Sequence, residues 1–407
     1  MRHIVFLPAF VVQTPERSSS MLLRPENRIL TSQSVWNPQS HCLELDGVRG
    51  LAILMVTIYR IFKELPSSDG TLAHGLKWFT LVGERGVDLF FVLSGFLITS
   101  ILVATRAQPH YFRNFIARRA LRIFPLYFFS LALFLWVIPT LVGTSLFDLS
   151  RTNQFYLWSY SSNVHMSWSN TWCFGPLDHF WSLAVEEHFY LVWPAIVFVL
   201  PLRWLFKFCL LTIVAVGGLR AIASTRPELA VAVDVLTVFR CDALCFGGLL
   251  AVWLNSQRES YSQLHQRKNA QIFRWGIVAC GLLIPIAIAM TWTGKRWLTI
   301  PSSLYPAIWM LLMGYLLTGD RLSRMAMSAR STWMRWLGKY SYGMYVFQLP
   351  LLTLVPFQVF GLENSNWMLP MFAIYAVGMF SLVAMLAWLS FHTIEHRFLK
   401  LKKFFAD

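Results

Sequence analysis

The chain carries ten apolar segments, each close to the roughly 20 residues a helix needs to cross a bilayer. They lie near 45–62, 84–104, 120–142, 183–200, 205–224, 231–254, 273–291, 302–319, 338–360 and 368–392. The runs are continuous, which excludes a large β-barrel, whose strands alternate over about 10 residues. In lipid a helix satisfies its backbone within one segment. The expected fold is therefore all-α: a polytopic membrane bundle of about ten transmembrane helices. Composition agrees. The 407 residues are 56% hydrophobic and only 14% charged, against about 25% charged in soluble domains. A disordered chain, a coiled coil and a secreted disulfide scaffold are excluded with them.

The formal net charge of +15 raises the question of nucleic acid. No separate polar domain exists to carry a groove or a recognition helix, so nucleic acid is excluded as a partner. The basic residues instead read as topology. With the N-terminus inside, inside loops hold 24 Lys and Arg and outside loops 7, Arg220 among the latter. Arg49, Arg60, Arg85 and Arg240 fall in or at the edge of spans. This bias places both termini in the cytoplasm. Anionic lipid of the inner leaflet is a secondary partner of that charge.

Residues 1–42 read as a poorly ordered N-terminal tail, with Met21 an alternative start. Residues 43–400 form the membrane domain, and 401–407 a basic cytoplasmic tail. Six Cys form no C-x-x-C pair, so neither a disulfide framework nor a metal site is readable.

A charge inside a bilayer is costly, so each one in a span is a functional candidate. Arg49 and Arg60 lie 11 residues apart on the first span, about 16 Å along a helix axis. Either can also snorkel to its nearer interface. Asp88 opens the second span, where it can equally complement the helix dipole. The fourth span opens with Trp181 and then Glu186, Glu187 and His188. The two glutamates point about 100° apart and cannot face one neighbour. Arg240 and Asp242 sit two apart in the sixth span, so each is expected to find a partner on another helix or to face a water-filled cavity. Arg60 is expected to pair with Asp88 or Glu187, at a similar depth.

Several motifs occur in order over about residues 43–400. They are Leu45-Asp46-Gly47-Val48-Arg49-Gly50, Gly86-Val87-Asp88-Leu89-Phe90-Phe91-Val92-Leu93-Ser94-Gly95-Phe96, and Arg118-Arg119-Ala120-Leu121-Arg122-Ile123-Phe124-Pro125. Then follow Trp181-Ser182-Leu183-Ala184-Val185-Glu186-Glu187, Arg240-Cys241-Asp242-Ala243-Leu244 and Leu337-Gly338-Lys339-Tyr340-Ser341-Tyr342-Gly343-Met344-Tyr345, with Ile394-Glu395 closing the series. This pattern resembles the acyltransferase 3 family of integral-membrane proteins, which O-acylate cell-surface polysaccharides and other hydroxyl acceptors. The resemblance implies a multi-pass protein of the plasma membrane. It implies an acyl group, usually acetyl, taken from acyl-CoA (acetyl-CoA) held at the cytoplasmic side. The acceptor is a hydroxyl of a carbohydrate or related molecule on the other side, and no metal is implied.

Onto this sequence the resemblance maps the family's catalytic positions to Arg49, Arg60 and Gln348, and the charges in and beside the spans add Asp88, Glu186, Glu187 and His188 as catalytic candidates. With charge placement it points to Arg49, Arg118, Arg119 and Arg122 for the coenzyme A phosphates. Substrate or structural roles fall to Asp46, Ser94, Trp181, Arg240, Asp242 and Tyr345. Two positions depart from the family: its first-span His is Arg60 here, and a second His on the ninth span is Gln348. A guanidinium cannot take a proton near neutral pH, and neither can an amide. The base then has to be His188, Glu187 or Asp88, with His179, a turn or more before the span, a weaker candidate. The alternative function is a catalytically silent family member that binds a donor, glycan or lipid. A transporter would show paired inverted repeats or broken helices, and neither is visible.

Overall fold

The computed structural model describes residues 42–66, 81–257, 263–292, 300–319, 323–361 and 367–405. The expected N-terminal tail, up to residue 41, lies outside the described residues. Long helices dominate and no strand occurs among the described residues. They are α1 (Leu43–Lys63), α2 (Gly86–Thr105), α3 (Tyr111–Ala132), α4 (Trp181–Val199) and α5 (Leu202–Ala223). They continue as α6 (Thr237–Ser256), α7 (Gln263–Trp292), α8 (Ile300–Thr318), α9 (Thr332–Leu354) and α10 (Met368–Ser390). Each of the ten apolar segments overlaps one of these helices.

Among the described residues seven helices are long and apolar enough to cross a membrane, so the chain is a multi-pass integral membrane protein. α1 is not one of the seven because Asp46, Arg49 and Arg60 interrupt its apolar run. Side chains such as Leu191, Leu211, Val214, Ile222 and Val377 stay largely exposed on the outside of the bundle, where lipid tails would cover them.

α3 starts at Tyr111, nine residues ahead of the segment read from hydropathy. The added stretch is the basic one, which an apolar window cannot see. α3 then runs on through one π turn at Leu133–Val137. That turn precedes Pro139, whose ring nitrogen has no hydrogen to offer an upstream carbonyl.

Several helix pairs meet backbone to backbone, α2 with α6 and α1 with α9 among them. A Cβ on Gly95 would stand 1.9 Å from the Leu244 carbonyl oxygen, and one on Gly247 2.0 Å from that of Val92. Only glycine allows α2 and α6 to approach this closely. α1 and α9 do the same through Gly50 against Met334 and Gly338 against Asp46. Gly338 meets Asp46 near the start of α1, and the Tyr345 ring meets Arg60 near its end. The two helices therefore run parallel.

Arg220 requires a correction. The charge count placed it in an outside loop, yet its side chain is 2% exposed on α5 and bonds Asp242 of α6 at 2.8 Å. Its carboxylate partner gives it a place inside the bundle, which a hydropathy boundary cannot anticipate. The C-terminal turn Lys400–Phe405 packs on α3, where Arg118 Nε donates to the Phe405 carbonyl at 2.7 Å.

Candidate active site

The basic stretch of α3 places Arg118 and Arg122 one helical turn apart, with Arg119 between them. Arg49 from α1 and Lys402 from the C-terminal turn join them around a vestibule of about 340 Å³. The start of α1, the start of α3 and the C-terminal turn thus lie at one end of the bundle. Thr105, Gln108, Tyr111 and Asn114 complete the polar lining, and no carboxylate lines it among the described residues. Asp46 offsets one cation, 3.3 Å from Arg49. Arg119 is steered inward by aromatic faces, 5.7 Å from the Phe115 ring centre and 5.8 Å from that of Tyr190.

Arg49, Arg119 and Arg122 also line a second, smaller cavity of about 110 Å³. The vestibule therefore leads into it. This cavity holds a group of hydroxyls around one carboxylate. Ser94 Oγ of α2 donates to Glu186 Oε1 of α4 at 2.8 Å, and the Tyr190 hydroxyl donates to Glu186 Oε2 at 2.7 Å. Tyr190 follows Glu186 by four residues, so one helix face presents both.

At the other end of the cavity the Ser182 and Tyr345 hydroxyls lie 2.6 Å apart. One hydroxyl donates to the other, and both oxygens lie within reach of the His179 carbonyl, at 3.0 and 3.1 Å, which accepts from whichever keeps its proton free. Behind them the Arg60 guanidinium lies over the Tyr345 ring, 5.1 Å from its centre. Arg60 Nη1 is buried without a hydrogen-bond partner among the described residues. His179 Nε2 sits 3.3 Å from the Val346 carbonyl, so this nitrogen carries the proton.

The cavity and its vestibule thus gather Arg49, Ser94, Arg118, Arg119, Arg122, Glu186 and Tyr345 from the candidates read in the sequence. The others are placed elsewhere. Asp88 is an ion-pair partner of Arg240, whose guanidinium also faces the rings of Phe91 and Trp181. Arg85 adds a second cation 3.8 Å from Asp88. Arg240 and Asp242 do find partners on other helices, Asp88 and Arg220 respectively. The expected pairing of Arg60 with Asp88 or Glu187 does not form. Asp88 is already held by Arg240, and Arg60 turns to Tyr345.

The alternative bases fare differently from Glu186. His188 Nδ1 bonds Thr237 Oγ1 at 2.8 Å, away from the cavity lining. Glu187 is not part of that lining either, as its 100° offset from Glu186 requires. Gln348 is fully buried and accepts from Thr57 Oγ1 at 3.1 Å, tying α9 to α1. Tyr190 and Lys402 were missed. The i, i+4 spacing from Glu186 was the available signal for Tyr190; Lys402 had none.

Fold and site together define a multi-pass helical membrane protein in which a cation-lined vestibule opens into an internal hydroxyl–carboxylate cavity. The sequence profile described as "Acyltransferase domain" matches residues 43–391, and the chain belongs to that acyltransferase 3 family. It is similar to YrhL of Bacillus subtilis (strain 168), 28% identical over 403 residues, 86% of this chain and 54% of that protein. It is also similar to the peptidoglycan O-acetyltransferase OatA of Listeria monocytogenes, 26% identical over 76% of this chain and 49% of that protein. The O-acetyltransferase OatA of Staphylococcus aureus is 32% identical over 161 residues, 38% of this chain and 24% of that protein. The chain spans about half the length of YrhL and of the Listeria protein. No solved structure matches it significantly.

Proposed function

We propose that the chain is a membrane O-acetyltransferase that moves an acetyl group from acetyl-CoA to a hydroxyl of a cell-wall carbohydrate. Peptidoglycan is the acceptor named for its Listeria relative. The observation that carries this reading is the continuity of the five-cation vestibule with the Ser94–Glu186–Tyr190 cavity. Arg49, Arg118, Arg119, Arg122 and Lys402 would hold the coenzyme A phosphates by charge-assisted hydrogen bonds. The narrower cavity would take the thioester end. There the Tyr345 hydroxyl, accepting from Ser182, can turn its proton from the His179 carbonyl to the thioester carbonyl oxygen as charge develops on it. Glu186 is the proton acceptor in reach, which neither Arg60 nor Gln348 can be.

The test is transfer of radiolabelled acetyl from acetyl-CoA to a muropeptide by the purified protein. Arg49→Ala with Arg119→Ala is expected to weaken acetyl-CoA binding at least tenfold. It should also flatten the salt dependence of binding, since phosphate contacts are screened by salt. Unchanged affinity in the double variant would remove the vestibule from the reading. The substituted histidine positions favour a second reading, a silent member that binds acetyl-CoA without turning it over. Tight binding with no transfer would select it.

The donor side has its own test. The basic bias of the loops puts the Arg113–Arg122 stretch, and with it the vestibule, in the cytoplasm. Reporter fusions in that stretch are expected to give cytoplasmic signal. An external signal would invert the bundle and remove acetyl-CoA as donor.

A further inference from the structure

We infer that Ser94 is a covalent acyl carrier, so that transfer runs in two steps through an acetyl-serine. The inference rests on the acetyl-CoA reading above. Its ground is a nucleophile, base and orienting group in contact. Ser94 Oγ donates to Glu186 Oε1 at 2.8 Å, while the other carboxylate oxygen accepts from Tyr190 at 2.7 Å. That fixes the carboxylate and leaves the Ser94-facing oxygen as the one that takes a proton. The arrangement has the form of an activated hydroxyl nucleophile, in which a third group holds the base. All three side chains line the small cavity, and Arg49 and Arg119 line it with them, where the donor vestibule opens. Arg49, Arg119 and Arg122 line the cavity with Glu186, so a carboxylate there has counter-charges.

In the first step Glu186 accepts the Ser94 proton and Oγ bonds to the thioester carbonyl carbon. The carbon–sulfur bond breaks, and the departing thiolate takes the proton from Glu186 to leave as the free thiol. In the second step the acceptor hydroxyl gives its proton to Glu186 and attacks the acetyl-serine carbonyl. The bond to Ser94 Oγ breaks, and Oγ recovers the proton. The same carboxylate serves both steps. This accounts for a site in which both family histidine positions hold residues that cannot act as a base. It also removes the need for donor and acceptor to occupy a cavity of about 110 Å³ together.

The experiment is exchange of labelled coenzyme A into acetyl-CoA by purified full-length protein with no acceptor present. A two-step enzyme exchanges, because the acetyl-serine can return its acetyl group to a labelled thiol. Wild type is expected to exchange, and Ser94→Ala to lose both exchange and transfer by about 1,000-fold or more. Ser94→Ala should still bind acetyl-CoA within a few-fold of wild type, which shows that it is folded. Ser94→Cys incubated with labelled acetyl-CoA should retain label that neutral hydroxylamine releases, as a thioester does. Transfer without exchange in wild type overturns the carrier and leaves the acetyltransferase reading standing. Exchange or transfer persisting in Ser94→Ala also overturns the carrier. Absence of both transfer and exchange in wild type overturns that reading, and the carrier with it.

Discussion

Asp242→Ala is expected to strip folded protein from the membrane. Asp242 is 1% exposed and holds Arg220, itself 2% exposed, at 2.8 Å. Around the pair, Arg220 Nη1 donates to Ser303 Oγ at 3.0 Å and Ser303 donates back to Asp242 Oδ2 at 3.0 Å. Arg220 also donates to the Phe239 carbonyl. The network joins α5, α6 and α8 through one carboxylate. Truncating Asp242 leaves a guanidinium inside the bundle with a carbonyl and a hydroxyl but no counter-charge. Breaking one side of a buried pair costs about 3–5 kcal/mol, a large share of the stability of most domains. Asp242→Asn keeps the acceptor oxygen without the charge and should fall between. Arg220→Met combined with Asp242→Leu removes both charges and should recover most of the loss, because the desolvation of the pair goes with it. Thermal unfolding in detergent measures all of these. A loss under about 1 kcal/mol for Asp242→Ala would mean that water reaches Arg220 and that the pair is not sealed.

The same pair shows what the sequence could and could not disclose. That Arg240 and Asp242 each need a partner on another helix or a water-filled cavity follows from their two-residue spacing, and each has the former. Which partner does not follow. Arg240 reaches Asp88 because α2 and α6 are drawn together by Gly95 and Gly247, a contact fixed by register between distant segments. Arg220 looked like a loop residue because a hydropathy boundary is set by composition, while its burial is set by Asp242. The helices themselves were legible because a run of about 20 apolar residues admits few other structures. The vestibule was legible in its α3 part, from Arg118, Arg119 and Arg122. Lys402 was not, since only packing folds the C-terminal turn back onto α3. Glu186 stood out as a charge in a span, and its offset from Glu187 correctly separated the two. Its role as the carboxylate of the cavity depends on Ser94, 92 residues away, and no local spacing carries that.

Arg60 was expected to sit against a carboxylate, and in that setting its removal would have been destabilising. The structure reverses the expected sign. The ring and hydroxyl of Tyr345 are its neighbours, and one guanidinium nitrogen is buried without a hydrogen-bond partner among the described residues. A half-buried cation so poorly compensated is a liability to the fold. Arg60→Met fills the same space without a charge and is expected to raise stability by about 1 kcal/mol or more. Its effect on transfer should be opposite. Arg60 does not line the cavity, but Tyr345, beside whose ring and hydroxyl it lies, does. Without the guanidinium that hydroxyl loses a fixed position and a cationic neighbour, just where a carbonyl oxygen would gain charge. Removing one such donor costs about 100- to 1,000-fold in rate. Arg60→Met, acting through Tyr345, should lose about tenfold to 100-fold of kcat, with acetyl-CoA affinity unchanged. Tyr345→Phe should lose as much or more. The double variant should be no worse than Tyr345→Phe alone, because two residues acting through one hydroxyl are not additive. Additive losses would separate Arg60 from Tyr345 and give it a contact of its own with substrate. A stabilised Arg60→Met protein with full transfer would leave the cation with no part in the chemistry.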